Sequence, residues 1–243
     1  MKNGAKNMKE LMLCGKNSVL DAYRNNIKIK KIFILNPENL KYFDEKSINI
    51  EIKDQKFFNS FTKENHQGFI AIINELIYRD LDFLIKNKPS AVLALDKIQD
   101  PHNLGAIIRT TNAAGIKDII LSKEHSADIN STVLKISSGG FVNMNFYKVN
   151  SLSASLTKLK KSGYWVYATA LNENAVPHTN VNYNLPSIIV VGNEGEGVSK
   201  SVLSVSDVNV YINQKGTVQS LNVSVATGII LFDFLAKNEN KKN

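Results

Sequence analysis

The sequence predicts an α/β protein, a parallel sheet covered on both faces by helices, preceded by a small α+β module. From residue 91 onward, short β-branched apolar runs alternate with stretches of helical periodicity, the pattern of a parallel sheet. One run, Ile188-Ile189-Val190-Val191, is apolar at every position, as a strand buried on both faces must be. The first 78 residues keep a different rhythm, one helical stretch among three strand-like runs.

In the front module the helical stretch spans Gly15–Asn25, and the strand-like runs are KIFIL (31–35), INIEI (48–52) and GFIAII (68–73). Their length and β-branched content favour strands. The charged stretch YRDLDFLIKNKPS (78–90) contains Pro89 and is expected to connect two domains with little more than two helical turns of its own. The expected division is therefore a small α+β module over 1–78, a linker over 79–90 and a main domain over 91–243. In the main domain AVLALD (91–96) reads as a buried strand, followed by a helix from about Leu104. A strand over 118–122, a helix over 131–139 and a strand over 144–149 come next. Leu152, Leu156 and Leu159 have helical spacing. Strands are expected over 164–170 and 187–192, with a weaker one over 207–212. The last helix, about Leu221 to Ala236, is apolar almost all round, so it is expected to be buried in its own core or against a partner chain.

With 243 residues, 43% of them hydrophobic, the chain can bury a substantial core. No apolar run reaches membrane-spanning length, and the N-terminal stretch lacks the sustained apolar segment of a secretory signal. Cys14 is the single cysteine. An internal disulfide is excluded, no cysteine cluster can hold zinc, and a cytoplasmic location is expected. His66, His102, His125 and His178 are scattered without metal-ligand spacing. The formal net charge is +8. Residues 1–88 carry 16 Lys/Arg against 11 Asp/Glu, net +5, and residues 89–243 carry 14 against 11, net +3. An excess of cations suits a nucleic-acid partner, and a solvated lysine-rich surface explains it equally well.

Ligands of open parallel sheets bind beyond the carboxyl ends of the strands, and three segments are expected there. In DKIQDPHNLGAIIRTTNAAG, Asn103 is suited to cap the helix, with Pro101 fixing the approach. Arg109 is one of only three arginines among 30 Lys and Arg residues. A surface salt bridge needs only a lysine, whereas a planar two-pronged contact to phosphate or carboxylate needs arginine. In VVGNEGEGVSK (190–200), three glycines in six residues let backbone approach a ligand, although a plain turn is the simpler reading. Neither the Walker ending nor the Rossmann glycine spacing is present. In GTVQSLNVSVATG (216–228), Ser220 or Asn222 is suited to cap the last helix.

Taken together and in this order, NLGAIIRTTNAAG, VVGNEGEGVS and SLNVSVATGIILF resemble the three signature motifs of the SpoU family of RNA ribose 2′-O-methyltransferases, within the SPOUT superfamily. The likeness covers residues 91–236. The segments CGKNSVLDAYRNN and NHQGFIAI resemble the L30e-like module that precedes some SpoU domains. The resemblance implies a SPOUT α/β domain with a trefoil knot after a small L30e-like domain. It implies S-adenosyl-L-methionine as methyl donor, no metal, a homodimer formed through the knotted domain, and RNA as partner. By motif position, Gly192, Ile212 and Leu221 would contact the cofactor, and Asn103, Arg109, Glu194, Ser220 and Asn222 would line the reacting end. The chain departs from the family's usual Ile-Pro-Met at Ile212-Asn213-Gln214. The implied reaction is 2′-O-methylation of a ribose, a guanosine of 23S rRNA. The alternatives are a tRNA guanosine 2′-O-methyltransferase, an rRNA methyltransferase that confers antibiotic resistance, and a non-catalytic RNA-binding protein.

Overall fold

The structure, a computed structural model, describes residues 10–44, 48–63 and 65–239. Half of the N-terminal stretch weighed as a secretory signal therefore lies outside the described residues. The chain divides into two compact units, one of residues 1–77 and 129–143 and one of residues 78–128 and 144–243.

The first unit holds β1 (Glu10–Cys14), α1 (Lys16–Arg24), β2 (Ile29–Ile34), β3 (Ile50–Ile52), α2 (Gln55–Phe61) and β4 (Phe69–Asn74). Its sheet runs in the order β1-β4-β2-β3, antiparallel except for the β2–β3 pair. Two elements lie outside the sequence expectation, β1 and α2. The side chain of Asp54 accepts a hydrogen bond from the Phe57 amide at 2.8 Å and so starts α2. Helix α2 is aromatic, and its Phe58 is fully buried against Cys14, Phe33 and Ile70 of the sheet.

The second unit begins earlier than a free linker would allow. Tyr78 bridges to Phe146, and the Arg79 amide donates to the Phe146 carbonyl at 2.8 Å. Helix α3 (Leu81–Asn87) follows, with Leu84 fully buried in the core of this unit beside Val92, Ile120 and Tyr147. Then come β5 (Ala91–Asp96), α4 (Pro101–Ala113) and β6 (Asp118–Ser122). Helix α5 (Ser131–Ser137) belongs to the first unit, where it packs on β1 and the Ser131 hydroxyl accepts from the Met12 amide at 3.0 Å. The second unit resumes with β7 (Asn145–Val149), α6 (Leu152–Lys161), β8 (Trp165–Thr169), β9 (Val176–Pro177), β10 (Ser187–Gly192), α7 (Lys200–Leu203), β11 (Val208–Tyr211) and α8 (Val223–Glu239).

Seven strands form one sheet in the order β7-β6-β5-β10-β8-β11-β9, and every pairing in it is parallel. The chain lays β6 and β7 on one side of β5, then places β8 on the other side and inserts β10 between β5 and β8. Strands β5 and β10 are buried at every position, which is why both read as continuous apolar runs.

Two helix starts differ from the sequence expectation. Helix α4 begins at Pro101, not near Leu104. Asp100 is its cap, accepting from the His102 amide at 2.9 Å, so Asn103 lies inside the first turn. Asp followed by Pro supplies both a cap acceptor and a first helical residue that needs no partner for its missing N–H. Helix α8 starts at Val223. Asn222 precedes it and accepts from the Ser224 amide at 2.9 Å, one of the two capping roles the sequence allows.

Candidate active site

Three segments after three different strands meet through one asparagine. Asn103 is 9% exposed in α4. Its Nδ2 donates to Glu194 Oε1, in the loop that follows β10. Its Oδ1 accepts from Asn222 Nδ2 at 2.9 Å, at the start of α8. The remaining oxygen of Asn222 serves Ser224, accepting from its amide and, at 2.6 Å, from its hydroxyl. Such a run fixes the orientation of the Asn103 amide, because turning it over would set donor against donor at Asn222.

The loop that carries Glu194 is held by its own first residue. Asn193 and Gly197 exchange two backbone hydrogen bonds, at 3.1 and 2.9 Å. Asn193 Oδ1 accepts from the amides of Gly195 (2.8 Å) and Glu196 (3.3 Å), and its Nδ2 donates to the Lys97 carbonyl at 3.1 Å. A Cβ on Gly192 would overlap the carbonyl carbon of Gly197, so only glycine permits the loop to fold back this closely. Just beyond, the amide of Ser199 donates to buried Asp96 at 2.7 Å and ties the exit of the loop to the end of β5. Asn193 and Asp96 escaped the sequence reading. The signal for Asn193 is an Asn placed directly before a glycine-rich turn.

A cavity of about 220 Å³ opens at the carboxyl ends of β8 and β11. Its wall includes Thr169, Gly197, Ile212, Ser220 and Leu221, and the lining is largely apolar. Gln214, in the departure from the family pattern, also lies on this wall. Gly192 is not on the wall and reaches it only through Gly197. Ser220 is exposed at the cavity edge.

Arg109 stands apart from the hydrogen-bonded run. It is exposed on α4 and makes no hydrogen bond or ion pair among the described residues, so the surface salt bridge that would have explained it is absent there. Helix α4 packs on α8, and a Cβ on Gly228 would lie 3.6 Å from Thr110, the neighbour of Arg109. Among the described residues no group of three or more His, Cys, Asp or Glu could hold a metal ion, and no helix is long and apolar enough to cross a membrane.

Residues 90–232 match the family model for the SpoU rRNA methylase family. The chain belongs to the SpoU family. Residues 12–79 match a second model, described as RNA 2′-O ribose methyltransferase substrate binding, so the chain is an RNA methyltransferase with a substrate-binding unit in front. A Mycoplasma pneumoniae protein described as an uncharacterized tRNA/rRNA methyltransferase is 36% identical over 230 residues, covering 90% of this chain and 95% of that one. The crystal structure of an AdoMet-bound rRNA methyltransferase from Sinorhizobium meliloti superposes with a TM-score of 0.79 at 28% identity, over 92% of this chain and 86% of that one. The A. aeolicus TrmH/SpoU tRNA-modifying enzyme superposes with a TM-score of 0.58 at 32% identity, over 67% of this chain and 86% of that one. Within the SpoU family the parallel sheet and the front unit follow the SPOUT architecture implied by the motifs.

Proposed function

We propose that this SpoU protein methylates the 2′-oxygen of a ribose in ribosomal RNA, with a guanosine of 23S rRNA as target. Support comes from the run Glu194–Asn103–Asn222, which joins the three motifs beside the cavity, with an arginine on the same helix that has no partner among the described residues. The ribosomal assignment draws on the S. meliloti rRNA methyltransferase, which aligns with both units' worth of chain. The A. aeolicus tRNA-modifying enzyme aligns with two thirds of it, and its higher identity there keeps a tRNA substrate as the second reading.

The cavity fits S-adenosyl-L-methionine in its chemistry. Ile212 and Leu221 offer apolar walls, and the glycine-rich turn offers close backbone. Bound there, the cofactor supplies an electrophilic methyl group on a sulfonium that departs as a neutral thioether. The residues act on the other reactant. In the transfer the 2′-oxygen would gain the methyl carbon, the carbon–sulfur electron pair would leave with the thioether, and the hydroxyl proton would pass to solvent water. Arg109 grips a phosphate of the target nucleotide and stabilises the charge developing on the 2′-oxygen, by position and electrostatics. Removal of the proton by Arg109 itself is the weaker role, because a guanidinium holds its proton in proteins. Asn103 orients the ribose, Glu194 and Asn222 hold Asn103, and Ser220 hydrogen-bonds substrate or cofactor at the cavity edge. No metal takes part.

The same reading carries a trefoil knot in the C-terminal chain, an exception to the rule that chains avoid knots, and a homodimer built on α8. Exposed Val225 (53%), Ile229 (36%) and Phe232 (50%) support the dimer, since they line one face of that helix. A cytoplasmic location follows from the substrate.

Arg109→Lys tests the core of this reading. It is expected to keep the fold and cofactor binding yet lose about 10²–10³-fold in methyl transfer, as removal of one transition-state contact does. Added guanidinium is expected to restore part of the activity of Arg109→Ala. Near-normal turnover by Arg109→Lys on rRNA would overturn the role. Mapping methylated riboses in cells with and without the protein identifies the nucleotide.

A further inference from the structure

The first unit carries an aromatic face that its own fold leaves half covered. Phe57 and Phe61 of α2 stack with ring centroids 5.3 Å apart and planes 21° from parallel. Both rings also touch Phe33 of β2, at 4.9 and 5.7 Å. Phe33 is buried, Phe57 is half-buried, and Phe61 is 43% exposed. The stack therefore grades from core to solvent and ends in an open ring. Burying an aromatic side chain of this size is favourable, so a ring kept open at the end of an ordered stack is suited to receive a further planar group.

Cations frame the rings. Lys53 Nζ lies 5.4 Å from the Phe57 centroid and Lys31 Nζ 5.7 Å from that of Phe33. Both lysines share a single carboxylate, Glu51, at 2.7 and 3.0 Å, and the two ammonium groups hold its carboxyl below the usual carboxylate range. Two cations on one anion leave net positive charge beside the stack. The register of the sheet aligns these groups. Phe33 pairs with Glu51 across the β2–β3 ladder, and Lys31 and Lys53 lie two residues from each, on the same face.

We propose that the Phe57–Phe61 stack is a docking platform for an unpaired base of the RNA substrate, with Lys31 and Lys53 meeting the flanking phosphates. It rests on the RNA-substrate reading and adds where on the first unit, and in which strandedness, RNA is held. An exposed aromatic ring with adjacent lysines matches what a single strand presents, a base face and a phosphate on each side. A duplex keeps its base faces stacked inside and offers nothing to the ring. An apolar protein surface or a second copy would use the rings and leave the net positive charge beside them unanswered.

The test uses the full chain, a short labelled single-stranded RNA, a duplex of the same length, and fluorescence anisotropy at matched salt. Phe61→Leu keeps apolar bulk without the ring, and is expected to weaken single-strand binding by about 5- to 160-fold, the range for loss of one base–aromatic stack. Duplex binding and S-adenosyl-L-methionine binding are expected to stay unchanged, and Phe61→Tyr is expected to keep the affinity. Lys53→Gln is expected to flatten the log–log salt dependence by about 0.7 to 1. Parental affinity in Phe61→Leu would overturn the proposal, as would equal losses on single strand and duplex, no single-strand binding by the parent, or an effect confined to self-association in sedimentation. Any of these failures of the platform in a protein that still methylates RNA defeats this proposal alone. Phe61-dependent binding without methyl transfer defeats the catalytic reading alone.

Discussion

Asn103 uses both ends of one amide, giving a hydrogen to Glu194 and taking one from Asn222. No other side chain of that size does both. In Asn103→Asp the donor is lost and a carboxylate faces Glu194, so methyl transfer is expected to collapse. Stability is expected to fall by about 1–3 kcal/mol, the cost of an unmade bond at a largely buried polar group, and thermal melting with a turnover assay measures both. Gly192 is constrained by shape rather than hydrogen bonding. Gly192→Ala is expected to push the 193–197 turn outward, because the new methyl would occupy the position of the Gly197 backbone. Gly197 lines the cavity, so calorimetry is expected to find S-adenosyl-L-methionine binding lost while circular dichroism finds the fold kept.

Helix α8 shows what periodicity can and cannot convey. Its all-round apolar sequence marks a helix with little contact with water, but gives no indication which side its own chain covers. In the structure Val223, Thr227, Ile230, Leu231 and Phe234 turn inward, and Val225, Ile229 and Phe232 turn out. Phe232→Glu is expected to leave the monomer folded and to abolish the proposed dimer, which sedimentation velocity reads directly. Strands β5 and β10 were legible because burial on both faces forces every position to be apolar. Strand β1 was not, since Glu10-Leu11-Met12-Leu13-Cys14 carries no β-branched residue. Helix α2 was hidden in a polar and aromatic stretch, where only the Asp54 cap signals a start. For the candidate site, the motifs singled out Asn103, Glu194 and Asn222 through family resemblance, whereas their mutual hydrogen bonds join residues 91 and 119 positions apart. Spacing alone cannot convey such a contact. The expected cap at Asn103 failed for a local reason, the stronger Asp-Pro start just before it.

The whole molecule concentrates buried phenols in its second unit. Burial pushes the Tyr164 hydroxyl up to about 12, and burial with the nearby Asp118 raises that of Tyr147, which donates to Asp118 at 2.7 Å. Burial and Asp233 raise Tyr183 in the same direction. These groups keep their protons in the folded state when the unfolded chain has begun to lose its own. Their contribution is complete below pH ~10, the ordinary phenol value; that of Tyr164 is lost as pH rises toward about 12, and those of Tyr147 and Tyr183 decline over a window that extends higher. Urea midpoints are expected to fall between pH 9 and pH 11, and less steeply in Tyr164→Phe. Removal of residues 1–77 is expected to be costlier than a simple domain deletion. Residues 129–143 belong to the first unit, and α5 would lose its packing on β1. Dye binding by the shortened protein is expected to report the apolar surface that Val133 and Leu134 now bury. The same stitch has a consequence for biosynthesis. The front unit is not complete when its 77th residue leaves the ribosome, because its last piece ends at residue 143, 66 residues later. At about 5–20 residues per second, the nascent module waits roughly 3 to 13 s for that piece, with the face of β1 that receives α5 still open to chaperones.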